Sequence, residues 1–204
     1  MRPKRLLLCA LLAAGFAPLI GGAAEDNEEP TASFETPSPS HGRYLLMDGN
    51  GRAVSNGDFP GRFQLISFGY TSCPDVCPTT LAEMAAILTR LGKEAGRLQT
   101  LFITLDPERD TASVLQHYVG FFDPRIMALS GPPALIRRAA DNFLVRYEIV
   151  REPGAPAEQY AVDHSAGMFL LGPDGRYIRK FAYALPAAEI GERIREIMIR
   201  LANY

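Results

Sequence analysis

Apolar residues along this chain recur with two periods, and the alternation between them outlines a fold. Phe63 to Gly69 and Leu98 to Leu105 are short, nearly continuous apolar runs, the pattern of strands buried on both faces. Between them, Pro78 opens a segment in which Leu81, Met84, Ala85, Leu88 and Leu91 recur at three- and four-residue spacing, predicting a helix to Leu91. Asp110 or Thr111 can cap a second helix running to about Phe121. Arg125 to Leu129 reads as a short strand. Pro132 to Val145 reads as a helix with Leu135, Ile136, Ala139, Ala140 and Phe143 on one side. Arg146 to Val150 fits another strand. Gly167–Leu171 and Tyr177–Phe181 flank the turn residues Gly172-Pro173-Asp174-Gly175, predicting a hairpin. Leu185 to Leu201 closes the chain as an amphipathic helix through Ile190, Ile194, Ile197, Met198 and Leu201. Ahead of all these, Arg43 to Met47 followed by Asp48-Gly49-Asn50-Gly51 predicts an N-terminal hairpin.

Strands alternating with helices predict an α/β domain with a mixed central sheet, parallel in its middle and flanked by helices. A buried strand, a cysteine pair at a helix start, a further strand–helix repeat, then a hairpin and a helix is a thioredoxin-like order. The compact domain is expected over residues 43–204. Residues 25–42 are acidic, then rich in Pro, Ser and Thr, and read as a tether. His41 falls in it as a linker residue.

The first residues read differently. Arg2, Lys4 and Arg5 precede a 15-residue apolar stretch, Leu6 to Ile20, and then Gly21-Gly22-Ala23-Ala24. That is the order of a secretory signal peptide, with Gly22-x-Ala24 resembling a cleavage site. The alternative is a membrane anchor, since Leu6 to Ala24 is just long enough to span a bilayer. Either reading places the rest of the chain outside the cytoplasm, in the periplasm or an equivalent space, with any tie to the inner membrane made by residues 6–24. Cys9 lies inside this segment behind Leu8 rather than a small residue, so it is not read as a lipidation site.

Composition narrows the function classes. The 204 residues are 47% hydrophobic and 22% charged, ordinary for a globular protein and excluding disorder or a coiled coil. Lys plus Arg number 21 against 23 Asp plus Glu, a formal charge of −2. Without the first 24 residues the count is 18 basic against 23 acidic, or −5. A mildly acidic domain with no basic run is not built to bind nucleic acid or anionic lipid.

Three cysteines and three histidines leave few places for thiol or metal chemistry. Beyond residue 24 only Cys73 and Cys77 remain. A bridge across so short a loop would add little stability, so the pair calls for a chemical explanation. It lies in Phe68-Gly69-Tyr70-Thr71-Ser72-Cys73-Pro74-Asp75-Val76-Cys77-Pro78, between a buried strand and a helix start. Pro78 suits the first helical position, which puts Cys77 near the N-cap, where free amides and the helix dipole favour thiolate. Asp75 opposes this by repulsion. In a helical turn the two Cα atoms stand roughly 6 Å apart, within disulfide reach. Three intervening residues, rather than the two of thioredoxin-type enzymes, can also aim both sulfurs at one metal. Thiolates are soft ligands that select Cu(I) or zinc.

A structural zinc site wants four protein ligands, which this chain does not readily supply. His117 is mid-helix and reads as a surface residue, and Met168 reads as a packed side chain. His164 is placed in a turn just before a strand, the one histidine positioned to join the cysteines. Two Cys and one His suit three-coordinate Cu(I), with room for another donor on Cu(II). Two thiolates total −1 with Cu(I) and zero with Cu(II), both modest charges to bury. Asp163 can orient the His164 ring or simply solvate a turn, and the turn is the better reading. Asp106-Pro107-Glu108-Arg109-Asp110 is best explained by turn formation and helix capping.

Taken together, these residues resemble the Sco/SenC/PrrC family. The loop from Phe68 to Pro78 resembles the family's metal-binding loop, Asp106 to Thr111 its middle motif, and Tyr160 to Met168 with Gly172–Gly175 its histidine motif. The likeness runs from about Arg43 to the C-terminus. It implies a thioredoxin-like fold and an extracytoplasmic copper-binding protein with Cys73, Cys77 and His164 as ligands. It further implies a metallochaperone that assists assembly of the CuA centre of cytochrome c oxidase, with the copper-accepting oxidase subunit as partner. Other copper chaperones or thiol oxidoreductases are further expected partners. On that reading the protein is not an enzyme. The alternative from another class is a thiol–disulfide oxidoreductase or redox sensor using Cys73 and Cys77.

Overall fold

The structure, a computed structural model, describes residues 42–202. The N-terminal segment 1–24, residues 25–41 of the tether and His41 lie outside the described residues. Gly42 already belongs to the domain, because its amide donates to the Asn142 carbonyl (3.1 Å).

The chain opens with a hairpin of β1 (Leu45–Met47) and β2 (Ala53–Ser55). The Asp48 carboxylate closes its turn by accepting from the amides of Asn50 (2.9 Å) and Arg52 (3.0 Å). The central sheet holds β3 (Phe63–Gly69), β4 (Leu98–Thr104), β5 (Ile126–Leu129), β8 (Met168–Leu171) and β9 (Tyr177–Phe181), in the order β5-β4-β3-β8-β9. β3, β4 and β5 run parallel, β8 runs antiparallel to β3, and β9 runs antiparallel to β8. This is the expected mixed sheet. β3 and β4 are buried at every position because both faces of the sheet are covered.

One face packs against α1 (Val76–Leu91), α2 (Ala112–Phe122) and α4 (Ala187–Ala202), through Leu65, Phe102 and Leu170 of the sheet and Leu81, Met84, Leu115 and Ile194 of the helices. The other face packs against α3 (Pro133–Asn142) and the N-terminal hairpin, through Ile66, Phe68, Leu101 and Phe169 against Ile136, Phe143 and Leu46. Gln64, buried in β3, is satisfied on both sides: its oxygen accepts from the Tyr44 hydroxyl (2.7 Å) and its amide donates to the Asn56 carbonyl (2.8 Å).

Four local features depart from the sequence pattern. Helix α1 starts at Val76, so Pro78 is its third residue rather than its first. A proline is tolerated there because the first four helical amides have no intrahelical acceptor. Residues Gly92–Arg97 form a short 3-10 turn. Helix α3 ends at Asn142 instead of reaching Val145. There the Val145 amide reaches back to the Ala140 carbonyl (2.8 Å) and the Leu144 amide to that of Asp141 (3.0 Å). Leu144 takes the left-handed conformation (φ 56°) that glycine usually fills in this closing motif.

The fourth departure bears on the site. The strand at Tyr147–Val150, β6, pairs with β7 (Ala161–His164), which the pattern does not announce. His164 therefore ends a strand instead of sitting in a turn before one. The β6–β7 ribbon forms its own two-stranded sheet, separate from the central one.

Candidate metal centre

The cysteine loop leaves the carboxyl end of β3, the central strand, and enters α1. That is where a parallel sheet opens a crevice for ligands. The β6–β7 ribbon brings His164 to the same place from 87 residues away, setting its Nε2 3.8 Å from the Cys77 sulfur. The side chains of Cys73 and Cys77 interact with each other, and both cysteines are free thiols. The three residues expected to act together are thus neighbours. Among the described residues, no three His, Cys, Asp or Glu side chains already surround a point that could hold a metal ion.

The donor set fits a soft ion in chemistry and spacing. Sulfur at about 2.3 Å and imidazole nitrogen at about 2.0–2.1 Å from such an ion, about 110–120° apart, stand about 3.5–3.8 Å from each other. The Cys77–His164 separation matches. Burial holds the His164 pKa below the ordinary imidazole value, keeping the ring neutral as a ligand must be. Its Nδ1 lies 3.4 Å from the Ser165 carbonyl. With the proton on Nδ1, the Nε2 lone pair faces the sulfur.

The two thiols differ sharply. Cys77 is 2% exposed, and burial pushes its pKa far up, despite a hydrogen bond from the Tyr70 amide. Cys73 is half-buried, and although its burial raises the pKa, the amides of Asp75, Cys77 and Val76 donate to its sulfur and bring the net value below that of an ordinary thiol. The amides at the helix start therefore favour thiolate at Cys73, not at Cys77 as their order in the sequence suggests. Cys77, the second helical residue, turns its side chain inward. Gly69 makes room for it: a Cβ there would stand 2.6 Å from the Cys77 sulfur and 2.9 Å from Phe102 Cε2.

The segment 106–110 does more than turn and cap. Thr111 does cap α2, its side chain accepting from the Val114 amide (3.3 Å). But Asp110, 1% exposed, accepts from the Thr71 hydroxyl, the Thr71 amide (3.1 Å) and the Thr104 hydroxyl (2.6 Å), pinning the cysteine loop to β4. Burial raises the Asp110 pKa in spite of these donors. Asp106 accepts from Arg109 and from the Tyr160 hydroxyl (2.7 Å). The sequence offers one clue to these roles, a cluster of charge directly after a fully buried strand.

The remaining candidates fall as expected, with one exception. His117 is exposed on α2, and Met168 is 5% exposed in the core. Asp163 lies in β7 rather than a turn. It is exposed, opposite Glu148 of β6, on the face turned away from that of its strand neighbours Val162 and His164. Tyr70, whose role nothing in the sequence signals, stands edge-to-face with the His164 ring with centroids 6.2 Å apart. An open groove of about 400 Å³ lined by Arg146, Tyr147, Glu148, Asp163 and Ser165 lies beside His164.

Fold and site together define a thioredoxin-like domain whose Cys-x3-Cys loop is faced by a histidine from a separate ribbon. The chain belongs to the SCO1/SenC family, whose model matches residues 33–199. It is 35% identical to the mitochondrial SCO2 homolog of Bos taurus, over 95% of this chain and 75% of that protein. It is 38% identical to a SCO2-like protein of Rickettsia typhi, over 74% of each. Among solved structures it resembles Bradyrhizobium japonicum ScoI with copper bound (TM-score 0.69, 36% identity, 76% of this chain and 98% of that one). It also resembles Arabidopsis thaliana ScoI with copper bound (TM-score 0.72, 28% identity, 78% and 98%).

Proposed function

We propose that this chain is an extracytoplasmic copper metallochaperone that binds one copper ion through Cys73, Cys77 and His164 and delivers it to the CuA-bearing subunit of cytochrome c oxidase. The observation that carries the reading is the meeting of the Cys77 sulfur and His164 Nε2 at 3.8 Å, with Cys73 in the same short loop. Copper-bound relatives at 28–36% identity support the choice of cargo. Residues 1–24 act as leader or anchor, residues 25–41 as tether, and the domain from Gly42 onward carries the site. Among the described residues no helix is long and apolar enough to cross a membrane.

The residues divide the work. Cys77 and His164 form the inner, pre-placed side of the cradle. Cys73 sits at its half-exposed rim with its thiolate already favoured, and closes the set by turning its sulfur inward. An ion held with one ligand at the rim can leave by ligand exchange, as each incoming donor replaces an outgoing one. Deleting the gene should lower CuA occupancy of the oxidase, and added copper should restore it. Normal oxidase copper in the deletion strain would overturn the reading.

The unequal thiols favour a second reading, a thiol–disulfide oxidoreductase. Cys73 thiolate would attack a target disulfide and form a mixed disulfide. Cys77 would then displace the target, which leaves as a dithiol while Cys73 and Cys77 become the disulfide. His164→Ala separates the two, since copper binding needs the imidazole and exchange largely survives its loss.

A further inference from the structure

Among the described residues the β6–β7 ribbon shares no strand pairing with the central sheet, so side-chain ties help set where His164 stands relative to the cysteines. We propose that Arg109 is the positioning residue that holds the histidine strand against the cysteine loop. The proposal rests on the copper reading above and deepens it.

Arg109 touches both halves of the site while remaining outside it. Its Nε donates to the Asp106 carboxylate, and its Nη1 donates to the Tyr160 carbonyl (2.9 Å), the residue directly before β7. The guanidinium lies 3.6 Å from the centroid of the Tyr160 ring and 5.7 Å from that of Tyr70. Its remaining nitrogen, Nη2, is buried with no hydrogen-bond partner, as befits a planar cation lying against aromatic faces. Asp106 completes the clasp by accepting from the Tyr160 hydroxyl.

Tyr70 carries the tie to the cysteines. It directly follows Gly69, its carbonyl accepts from the Cys73 amide (3.3 Å), and its ring lies near the Arg109 guanidinium and stands edge-to-face with the His164 ring. Arg109 thus holds Tyr160 at the entry to β7 and Tyr70 meets His164 at its end, with the four residues Ala161–His164 in extended chain between. At the other edge of the ribbon, Arg137 donates to the Tyr147 carbonyl (3.3 Å), tying β6 to α3. Among the described residues, only the Arg109 clasp joins the ribbon to the segment that also pins Thr71 through Asp110. Lysine cannot replace it, because a single ammonium lacks the planar fork that bonds Asp106 and Tyr160 together.

The test uses the full chain with Arg109→Met and Tyr160→Phe, each alone and combined with His164→Ala, and Cu(I) affinity measured by competition with a chelator. Arg109→Met should weaken Cu(I) binding about tenfold or more, as loss of groups that orient a ligand does. Tyr160→Phe should weaken it less. Neither should weaken the His164→Ala protein further, because the ligand they position is gone. Wild-type affinity in Arg109→Met, or equal losses with and without His164, would overturn the proposal; the latter is the signature of a purely structural role. Amide hydrogen exchange of the metal-free proteins gives an independent reading. Arg109→Met should speed exchange at Val162–His164 while β3 and β4 keep their protection, and unchanged exchange in β7 would overturn the proposal. Should wild-type protein hold no copper, the copper reading fails, and exchange in β7 still decides the positioning role. Should Arg109→Met fail to fold, Tyr160→Phe, which removes one hydroxyl, carries the same comparisons.

Discussion

Gly69→Ala adds one methyl group at the floor of the site. Its backbone is extended strand, so alanine meets no conformational barrier there and, by restricting the unfolded chain, would on its own add about 0.4–1 kcal/mol of stability. Space decides the matter. The new Cβ would lie 2.6 Å from the Cys77 sulfur and 2.9–3.0 Å from two carbons of the fully buried Phe102 ring. Ordinary contact needs about 3.5–4.0 Å, so sulfur or ring must move by roughly 1 Å. Overpacking of this kind costs about 1–3 kcal/mol, which outweighs the gain and leaves a net loss of about 1–2 kcal/mol. For a domain of this size that lowers Tm by roughly 3–6 °C. The effect on copper should exceed the effect on stability, because ligands must hold their positions to about 0.5 Å. Thermal unfolding of the metal-free protein and Cu(I) competition measure the two. Gly96→Ala is the control, since nothing lies within 4 Å of a Cβ placed there. A Gly69→Ala protein as stable as Gly96→Ala, with wild-type copper affinity, would refute the geometry of the floor.

Further outcomes follow from the same contacts. Iodoacetamide should label Cys73 well before Cys77, with a rate that rises at lower pH than for an ordinary thiol, because helix-start amides favour its thiolate while burial suppresses that of Cys77; equal labelling in peptide mass spectra would contradict this. Leu144→Gly should raise stability by about 0.5–1 kcal/mol in urea, since Leu144 is 70% exposed and its left-handed backbone costs about 1–2 kcal/mol against glycine's smaller entropic penalty; a loss would mean the leucine side chain matters more than its backbone. Asp123 bonds to the Arg125 guanidinium, which holds its carboxyl below the usual range. A depressed folded pKa stabilises above the unfolded value and is lost as pH falls through the folded one. Asp123→Asn should therefore be less stable than wild type at neutral pH, with the gap closing on acidification; a gap independent of pH would assign the loss to packing.

How far the sequence reaches is clearest at particular residues. Phe63–Gly69 is legible to the residue because a strand buried on both faces reads as an unbroken apolar run. The start of α1 is not, because Asp75 caps it without a side-chain bond and Pro78 is allowed anywhere in the first turn. β7 escapes notice because it is four residues long, with only Val162 buried, so no period can emerge. That His164 should stand near the cysteine pair, as its 3.8 Å approach to Cys77 has it, is readable from scarcity and motif. Which thiol the helix start favours is not, since it depends on which way each side chain turns. Nor is the work of Asp110 and Arg109, whose partners Thr71 and Tyr160 lie 39 and 51 residues away. Charged residues beside a turn look alike in sequence whether they face water or a neighbouring loop.

One copper ion shared by Cys73, Cys77 and His164 is what the proposed function requires. Metal analysis joined to copper X-ray absorption tests it most directly, on the reduced chain loaded anaerobically with Cu(I). One tightly held copper, bound by two sulfurs and one imidazole nitrogen, is the expected result. Loss of either cysteine should remove one sulfur, and His164→Ala should remove the nitrogen alone. A wild-type protein that holds no tight copper, with a freely exchanging Cys73–Cys77 disulfide, would contradict the account and leave redox chemistry as the function.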